Sequence, residues 1–393
     1  MSQRIALGFG NNVDYEIVWH AETLNKLAAE HLLCDAGLGC RQVIHSEREL
    51  IASILGFVKA GQGGERFVAD SDLIEWFASR FQKQTTLGGT PVRAAIAMGK
   101  LGHTAALHLV SMNADVRRLL PPGCPWVCSN PRDSHYPHLI VQYDSGASIR
   151  VNGDHIVAPA ANRLIYHSNA DNIAMRLNRD FADLLPNARA LLVSGFNAMQ
   201  SEALLIARLE TLSAMLETLP ADAVVVYEDG GYHVARFRRR LQAALGSRVD
   251  VHSMNEDELQ EQIGAPLALD DARAVLAALD WLHRRTSAKT LVVHTGRWAL
   301  AYGGGAQQYA AALRAGATLA TTRFCYGDGW KLANYRAVQD HPPKPADACF
   351  AAAVNASRSD SFCVPVAWDE PRNTTSIGLG DAFVGGFMTE LAG

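Results

Sequence analysis

The sequence contains no apolar run long enough to cross a bilayer, no long basic tract and no CxxC pair. The first absence excludes a helical membrane span. The second, with a formal net charge of -4, argues against a nucleic-acid backbone as the main partner. The one dense cationic cluster, Arg236-Phe237-Arg238-Arg239-Arg240, reads as a solvated helix face. The seven cysteines are odd in number and scattered. Cys124 and Cys128 have no second pair at zinc-finger spacing, so the thiols read as buried or loop groups. Residues 1–10 carry one Arg and lead straight into a strand-like run, without the pattern of a signal peptide. A cytoplasmic protein is expected. No internal repeat or low-complexity tract stands out.

With 393 residues, 48% of them hydrophobic, the chain can bury a large core, and one large domain with a smaller satellite is expected. Short apolar runs predict strands over 5–9, 105–111, 190–194, 223–227, 249–252, 290–294 and 317–321. Helical patterns fall between most of them, over 92–101, 202–219, 233–245, 270–284 and 306–315. Strand followed by helix, repeated, predicts a parallel sheet covered on both faces. Residues 21–81 read as mostly helical, with Gly61 to Gly64 a flexible break. Prolines crowd 121–137, after which 138–143 and 148–151 read as a hairpin around Asp144-Ser145-Gly146, and 164–167 as a further strand. This β-rich insertion predicts a small separate sheet, a candidate lid. The expected division is a large α/β domain from 1–13, 81–121 and 179–393, with a small lid region from part of 14–80 and from 122–178.

Polar residues recur where the strands end, which in open α/β sheets is where ligands bind. Asn12 and Asp14 follow the first strand. Asp14 can accept from two hydroxyls of a ligand, or form a turn with its own backbone. Gly88 and Gly89 stand at a helix entrance, where a ligand can approach the backbone. Asn197 follows another strand end, and Glu228-Asp229 a third, where a carboxylate can hold a metal directly or through water. Asn255 and Glu258 have the spacing of a capping box and equally suit a metal or phosphate site. His294-Thr295-Gly296 follow a fourth strand, and Gly303-Gly304-Gly305 read as a mobile loop near a nucleotide.

The densest signal is residues 373–381, after the apolar run 363–367. Gly378 and Gly380 around Leu379 let the backbone turn sharply, and a helix is expected to open at Asp381. The first N–H groups of a helix lack internal partners and suit a phosphate gaining charge. Asp381 at that mouth can accept a proton from an attacking hydroxyl, or serve as an N-cap.

The order of these motifs resembles the ribokinase-like (PfkB) sugar kinases, and within them the ADP-dependent glucokinase and phosphofructokinase family. The resemblance rests on Asn12-x-Asp14, Gly88-Gly89, Ala161-Asn162-Arg163, Ser194-Gly195-Phe196-Asn197, Asn255-Glu256-x-Glu258-Leu259, His294-Thr295 and residues 373–381. It implies a three-layer, Rossmann-like large domain, a β-rich lid, and Mg2+-assisted phosphoryl transfer from ADP to a hydroxyl of a hexose or hexose phosphate. Asp381 would be the base and Gly378, Leu379 and Gly380 the anion hole. Asn12, Asp14, Gly88, Gly89 and Arg163 would face the sugar, Asn197, His294, Thr295 and Gly296 the nucleotide, and Glu228, Glu258 and Asn255 the metal. One departure is plain: Val226-Tyr227-Glu228 keeps the Glu of the family's His-x-Glu motif and lacks the His. ATP as donor to a sugar or nucleoside, or a binding protein that has lost transfer, are the alternatives. A phosphorylated acceptor needs cations, for which Arg93, Arg163 and Arg176 are available. Pairing of the lid with a second copy is left open.

Overall fold

The computed structural model describes residues 4–34, 37–39, 43–368, 375 and 377–392. A nine-stranded sheet runs in the order Ser361–Pro365, Trp298–Gly303, Thr290–His294, Val251–Asn255, Val224–Glu228, Ala190–Val193, Ile5–Gly8, Ala106–Leu109 and Trp126–Cys128. Its central strands are parallel and apolar on both faces, as burial between two helix layers requires. Alternation along each strand divides the core. Leu192, Val226, Val251 and Val292 pack with the helices Thr90–Lys100, Ala310–Tyr326 and Leu379–Leu391. Leu191, Val193, Val225, Leu291 and Val293 face Glu202–Leu216, Arg236–Leu245, Ala272–His283 and Pro345–Ser357. The result is the expected three layers.

A second sheet of six strands has the order Val43–Ile44, Gly64–Val68, Asn162–His167, His138–Tyr143, Asn12–Ile17 and Lys83–Gly88. Its apolar face, with Val13, Tyr15, Leu87, Leu139, Val141, Leu164 and Tyr166, packs on Leu50, Ile54 and Phe77. Its other face is polar and is turned toward the carboxyl ends of the large sheet, where its residues line a shared cavity.

Several elements depart from the sequence expectation. Residues 317–321 are the middle of the Ala310–Tyr326 helix, not a strand. Small residues here let that helix press on Leu379–Leu391: a Cβ on Gly316 would lie 2.8 Å from Phe383, and one on Gly386 2.5 Å from the Ala315 carbonyl oxygen. This contact decides the conformation, overriding local propensity. Asn12 and Asp14 lie in a strand rather than a loop. Asn11 makes the crossing between the sheets, accepting from Val110 and Ser111 N–H and donating to the Ser111 carbonyl. Residues 148–151 pair with Asp154–Val157, not with 138–143; Asn152 and Gly153, both at positive φ, form the tighter hairpin turn. The stretch 21–81 contributes the strands Val43–Ile44 and Gly64–Val68, and Gly61 is a left-handed helix cap rather than a flexible break. Trp298–Gly303 is an unexpected strand running antiparallel to its neighbours. Its Gly303 pairs with Thr290, at the end of that strand opposite His294, so the triglycine lies away from the cavity.

Overpacking of the tight helix pair is costly. Gly386→Ala is expected to lower stability by about 1–3 kcal/mol despite the better helix propensity of alanine, read as a fall in the denaturation midpoint with an unchanged slope.

Candidate active site

Between the carboxyl ends of the large sheet and the polar face of the small one lies a cavity of about 690 Å³. The Leu379–Leu391 helix begins at its wall. Gly378, at φ 63°, is the cap, so the helix opens two residues before Asp381, which sits in its first turn rather than at the N-cap. The turn is pinned from behind by Arg323, whose Nε donates to the Ile377 carbonyl at 2.9 Å. Side chains on the glycines would intrude: a Cβ on Gly378 would lie 3.0 Å from the Arg93 guanidinium, and one on Gly380 3.4 Å from His294. The first N–H groups of this helix and the Asp381 carboxylate thus border the same space. Asn373, Thr374 and Ser376 of the sequence motif lie outside the described residues.

Opposite this turn, strand alternation places Asn12, Asp14 and Glu16 on the polar face of the small sheet. Asp14 is buried, accepts from Asn12 Nδ2, and takes a 2.6 Å ion pair from Arg93 Nη2. The same nitrogen donates to Glu16 Oε1 at 3.2 Å, and Arg93 Nε lies 3.9 Å from Asp381 Oδ2. Arg93, available in sequence as a cation for a substrate phosphate, is therefore engaged by protein carboxylates. Burial pushes the Asp14 carboxyl up to about 6, with Arg93 opposing the rise. Gly88 backs this pair, since a Cβ there would lie 2.6 Å from Asp14 Oδ2. Gly89, at φ 89°, passes so close to Gly10 and Asn11 that a Cβ would meet backbone at 2.9 Å.

At the other end, Glu228 is buried and accepts from His294 Nε2 at 3.1 Å, while its second oxygen has no partner among the described residues. The His294 ring stacks on Phe383 at 4.4 Å. Burial would lower the His294 pKa, but Glu228, Glu258 and Glu256 together outweigh burial and the net shift is upward. Asn255 and Glu258 form a capping box: Asn255 Oδ1 accepts from Asp257 and Glu258 N–H, and Glu258 Oε2 accepts from Asn255 N–H. Asn255 thereby spends its side-chain oxygen on the helix. Glu258 still lines the cavity, and burial together with Glu228 and Asp229 pushes its carboxyl up to about 8. Two carboxylates facing one space, the buried Glu228 with an orphaned oxygen and the half-buried Glu258, fit a hard divalent cation.

Asn197, Thr295, Gly296 and Arg163 also line the cavity. The Thr295 hydroxyl is occupied by its own turn, accepting from Arg297 and Trp298 N–H. Arg176 is not among the lining residues. Sequence reasoning missed Glu65, His138 and His167, which line the roof. No local pattern marks them: Glu65 and Arg66 are adjacent in a strand that does not alternate, and Glu65 and His167 reach one face only through the pairing of Gly64–Val68 with Asn162–His167.

Arg93→Met, which leaves Asp14 and Glu16 buried without their cation, is expected to cost about 3–5 kcal/mol at pH 7. The loss shrinks at pH 5, where Asp14 can take up a proton; chemical denaturation at the two pH values reads both effects.

The conserved region of the ADP-specific phosphofructokinase/glucokinase family matches residues 3–342; the Gly378 turn and Asp381 lie beyond it. No curated protein sequence matches the chain. Solved structures share the fold. A phosphofructokinase from Pyrococcus horikoshii OT3 with AMP has TM-score 0.76 at 16% identity, covering 99% of this chain and 98% of that one. An ADP-dependent kinase in complex with fructose-6-phosphate and ADPβS has TM-score 0.74 at 13% identity, covering 99% and 94%. The last common ancestor of ADP-dependent phosphofructokinases from Methanosarcinales has TM-score 0.72 at 13% identity, covering 100% and 94%. With the matched region spanning most of its length, the chain belongs to the ADP-specific phosphofructokinase/glucokinase family and is an ADP-dependent sugar kinase.

Proposed function

We propose that the chain transfers the terminal phosphoryl group of ADP to a hydroxyl of a neutral hexose, releasing AMP. The observation that carries this reading is that Asp381, the Gly378–Gly380 turn and Asp14 face one cavity, linked through Arg93. Asp381 accepts the proton of the attacking hydroxyl. The N–H groups of the Gly378, Leu379 and Gly380 turn meet the charge gathering on the transferred group. Asp14 and Asn12, backed by Gly88 and Gly89, hold the acceptor so that its hydroxyl lies near Asp381, which is the alignment this chemistry needs. Asn197, His294, Thr295 and Gly296 border the donor, and His294 also orients Glu228 through their hydrogen bond. Glu228 and Glu258 would hold Mg2+, which when bound supplies charge neutralisation at the donor phosphates. Asn255 contributes by fixing Glu258 through the capping box rather than as a ligand. The large sheet with its helices is the nucleotide-binding body, and the six-stranded sheet is a lid that excludes water from the donor.

The neutral acceptor follows from charge. Asp14, Glu16 and Asp381 surround a single guanidinium, so this wall offers no surplus cation to a sugar phosphate. A second reading, a hexose phosphate, is favoured by Arg163 on the cavity wall. A matrix of ADP and ATP against hexoses, hexose phosphates and nucleosides separates these readings. AMP and hexose phosphate formed in equal amounts from ADP and a neutral hexose support the proposal. Preference for a hexose phosphate supports the second reading, and ligand-induced stabilisation without product would mark a binding protein.

Burial favours the protonated form of Asp14, and its carboxylate form predominates only above about pH 6. The acceptor kcat/KM is therefore expected to fall below that pH. Asp14→Asn removes this limb of the profile and lowers kcat/KM by about 10- to 100-fold, since hydrogen bonds to a charged group contribute roughly 1.5–3 kcal/mol.

A further inference from the structure

The cationic cluster on Arg236–Leu245 is not a uniform solvated face. Arg236, Arg239 and Arg240 are exposed, and Arg236 and Arg240 pair with Glu202. Arg238, by contrast, is buried beside the Asp229-Gly230 turn, which lines the cavity. Its Nε donates to Asp229 Oδ1 at 3.0 Å, and its Nη2 donates to the Gly230 carbonyl at 2.9 Å and to Glu261 Oε2 at 2.7 Å. Asp229 Oδ1 also accepts from the Tyr227 hydroxyl and from Gly230 N–H, both at 2.9 Å, and Oδ2 accepts from Gln262 Nε2 at 2.8 Å. Although Asp229 follows Glu228 in sequence, its carboxylate is fully enclosed and spent on these donors.

This network joins the segments that carry Glu228 and Glu258. Glu228 ends the Val224–Glu228 strand, directly before Asp229, and Glu258 lies in the first turn of the Glu256–Ile263 helix. Glu261 and Gln262 follow Glu258 by three and four positions, so all three residues share one face of that helix, a turn apart. The helix is short and has little apolar anchorage. Of its eight residues, all described, only Leu259 is buried, with the half-buried Ile263 beside it. So few apolar contacts leave rotation about the helix axis poorly fixed. The capping box does not fix it either, because Asn255 and Glu258 belong to the same segment. The contacts of Glu261 with Arg238 and of Gln262 with Asp229 are what tie this face to the turn after Glu228.

We propose that Arg238 and Gln262, acting through Asp229, are positioning residues for the divalent cation: they set the rotation of the Glu256–Ile263 helix so that Glu258 faces Glu228. The proposal rests on the assignment of Glu228 and Glu258 to that cation. Arg238 and Gln262 are not among the cavity-lining residues, so they act only through the carboxylates they orient, as groups behind metal ligands do. Charge alone makes the opposite prediction for Arg238. Removing a cation near two carboxylates would tighten the binding of another cation. A loss of affinity when Arg238 is removed is therefore the signature of geometry.

The test uses the full-length protein with Mn2+ alone as the probe, free Mn2+ being read by electron paramagnetic resonance. Glu228→Gln is expected to abolish the binding. Arg238→Met leaves the buried Asp229 without its cation and costs stability, so Gln262→Leu, which changes no charge, carries the test. Gln262→Leu is expected to weaken Mn2+ binding by about 10- to 100-fold, the loss typical of removing a group that orients a metal ligand, with folding confirmed by a cooperative denaturation curve. Folded Arg238→Met is expected to weaken it at least as much, whereas Arg236→Gln, on the same helix and with the same change in charge, leaves it unchanged. Binding in Gln262→Leu and Arg238→Met equal to or tighter than in the original protein, with Glu228→Gln still abolishing it, overturns the positioning role and leaves the metal assignment standing. No Mn2+ binding, or binding that Glu228→Gln does not weaken, overturns the assignment and the positioning role with it.

Discussion

The placement of Arg93 is the constraint on which the site depends. Its guanidinium is buried and joins the small-sheet strand Asn12–Ile17 to the large-sheet helix Leu379–Leu391. A buried cation without partners would be prohibitive, and so would the carboxylates without the cation. Each group therefore fixes the others: Asp14 and Glu16 position Arg93 from one side, and Asp381 borders it from the other. This arrangement sets the distance between the part of the cavity that meets a sugar hydroxyl and the residue proposed to take its proton.

Close backbone approach supports that constraint. Gly88 leaves room for Asp14, Gly378 leaves room for Arg93, and Gly316 and Gly386 bring together the two helices that pack beside the turn before Asp381. The ring of His294, held between Glu228 and Phe383, extends the same packing to the carboxylate end of the cavity. The two ends of the site are thus carried by one contiguous core rather than by independent loops.

Much of this was legible in the sequence because it is local. Apolar runs ending in polar residues marked most of the parallel strands and their carboxyl edge, and the spacing of Gly378, Gly380 and Asp381 marked the helix entrance. What escaped was set by tertiary contacts. Residues 317–321 have strand-like composition, yet the opposing helix selects a helix. Asn12 to Ile17 alternates polar and apolar residues, but the first strand ends at Gly8, and nothing local says that the chain moves directly into a second sheet. The Asn152-Gly153 turn carried a stronger hairpin signal than 144–146, and reading the weaker one misassigned the pairing. Arg93 could be seen as a cation but not as one already surrounded by carboxylates. Glu65, His138 and His167 are far apart in the chain and meet only through the register of three strands.

The central claim is that Asp381, at the anion-binding helix start, removes the proton from the acceptor. Its most direct test is single-turnover phosphoryl transfer by Asp381→Asn, with nucleotide affinity and the denaturation midpoint measured on the same protein. The account predicts a rate lower by about 10²–10⁴-fold, the usual contribution of a positioned general base, with both other quantities near their original values. Transfer at the original rate would contradict it.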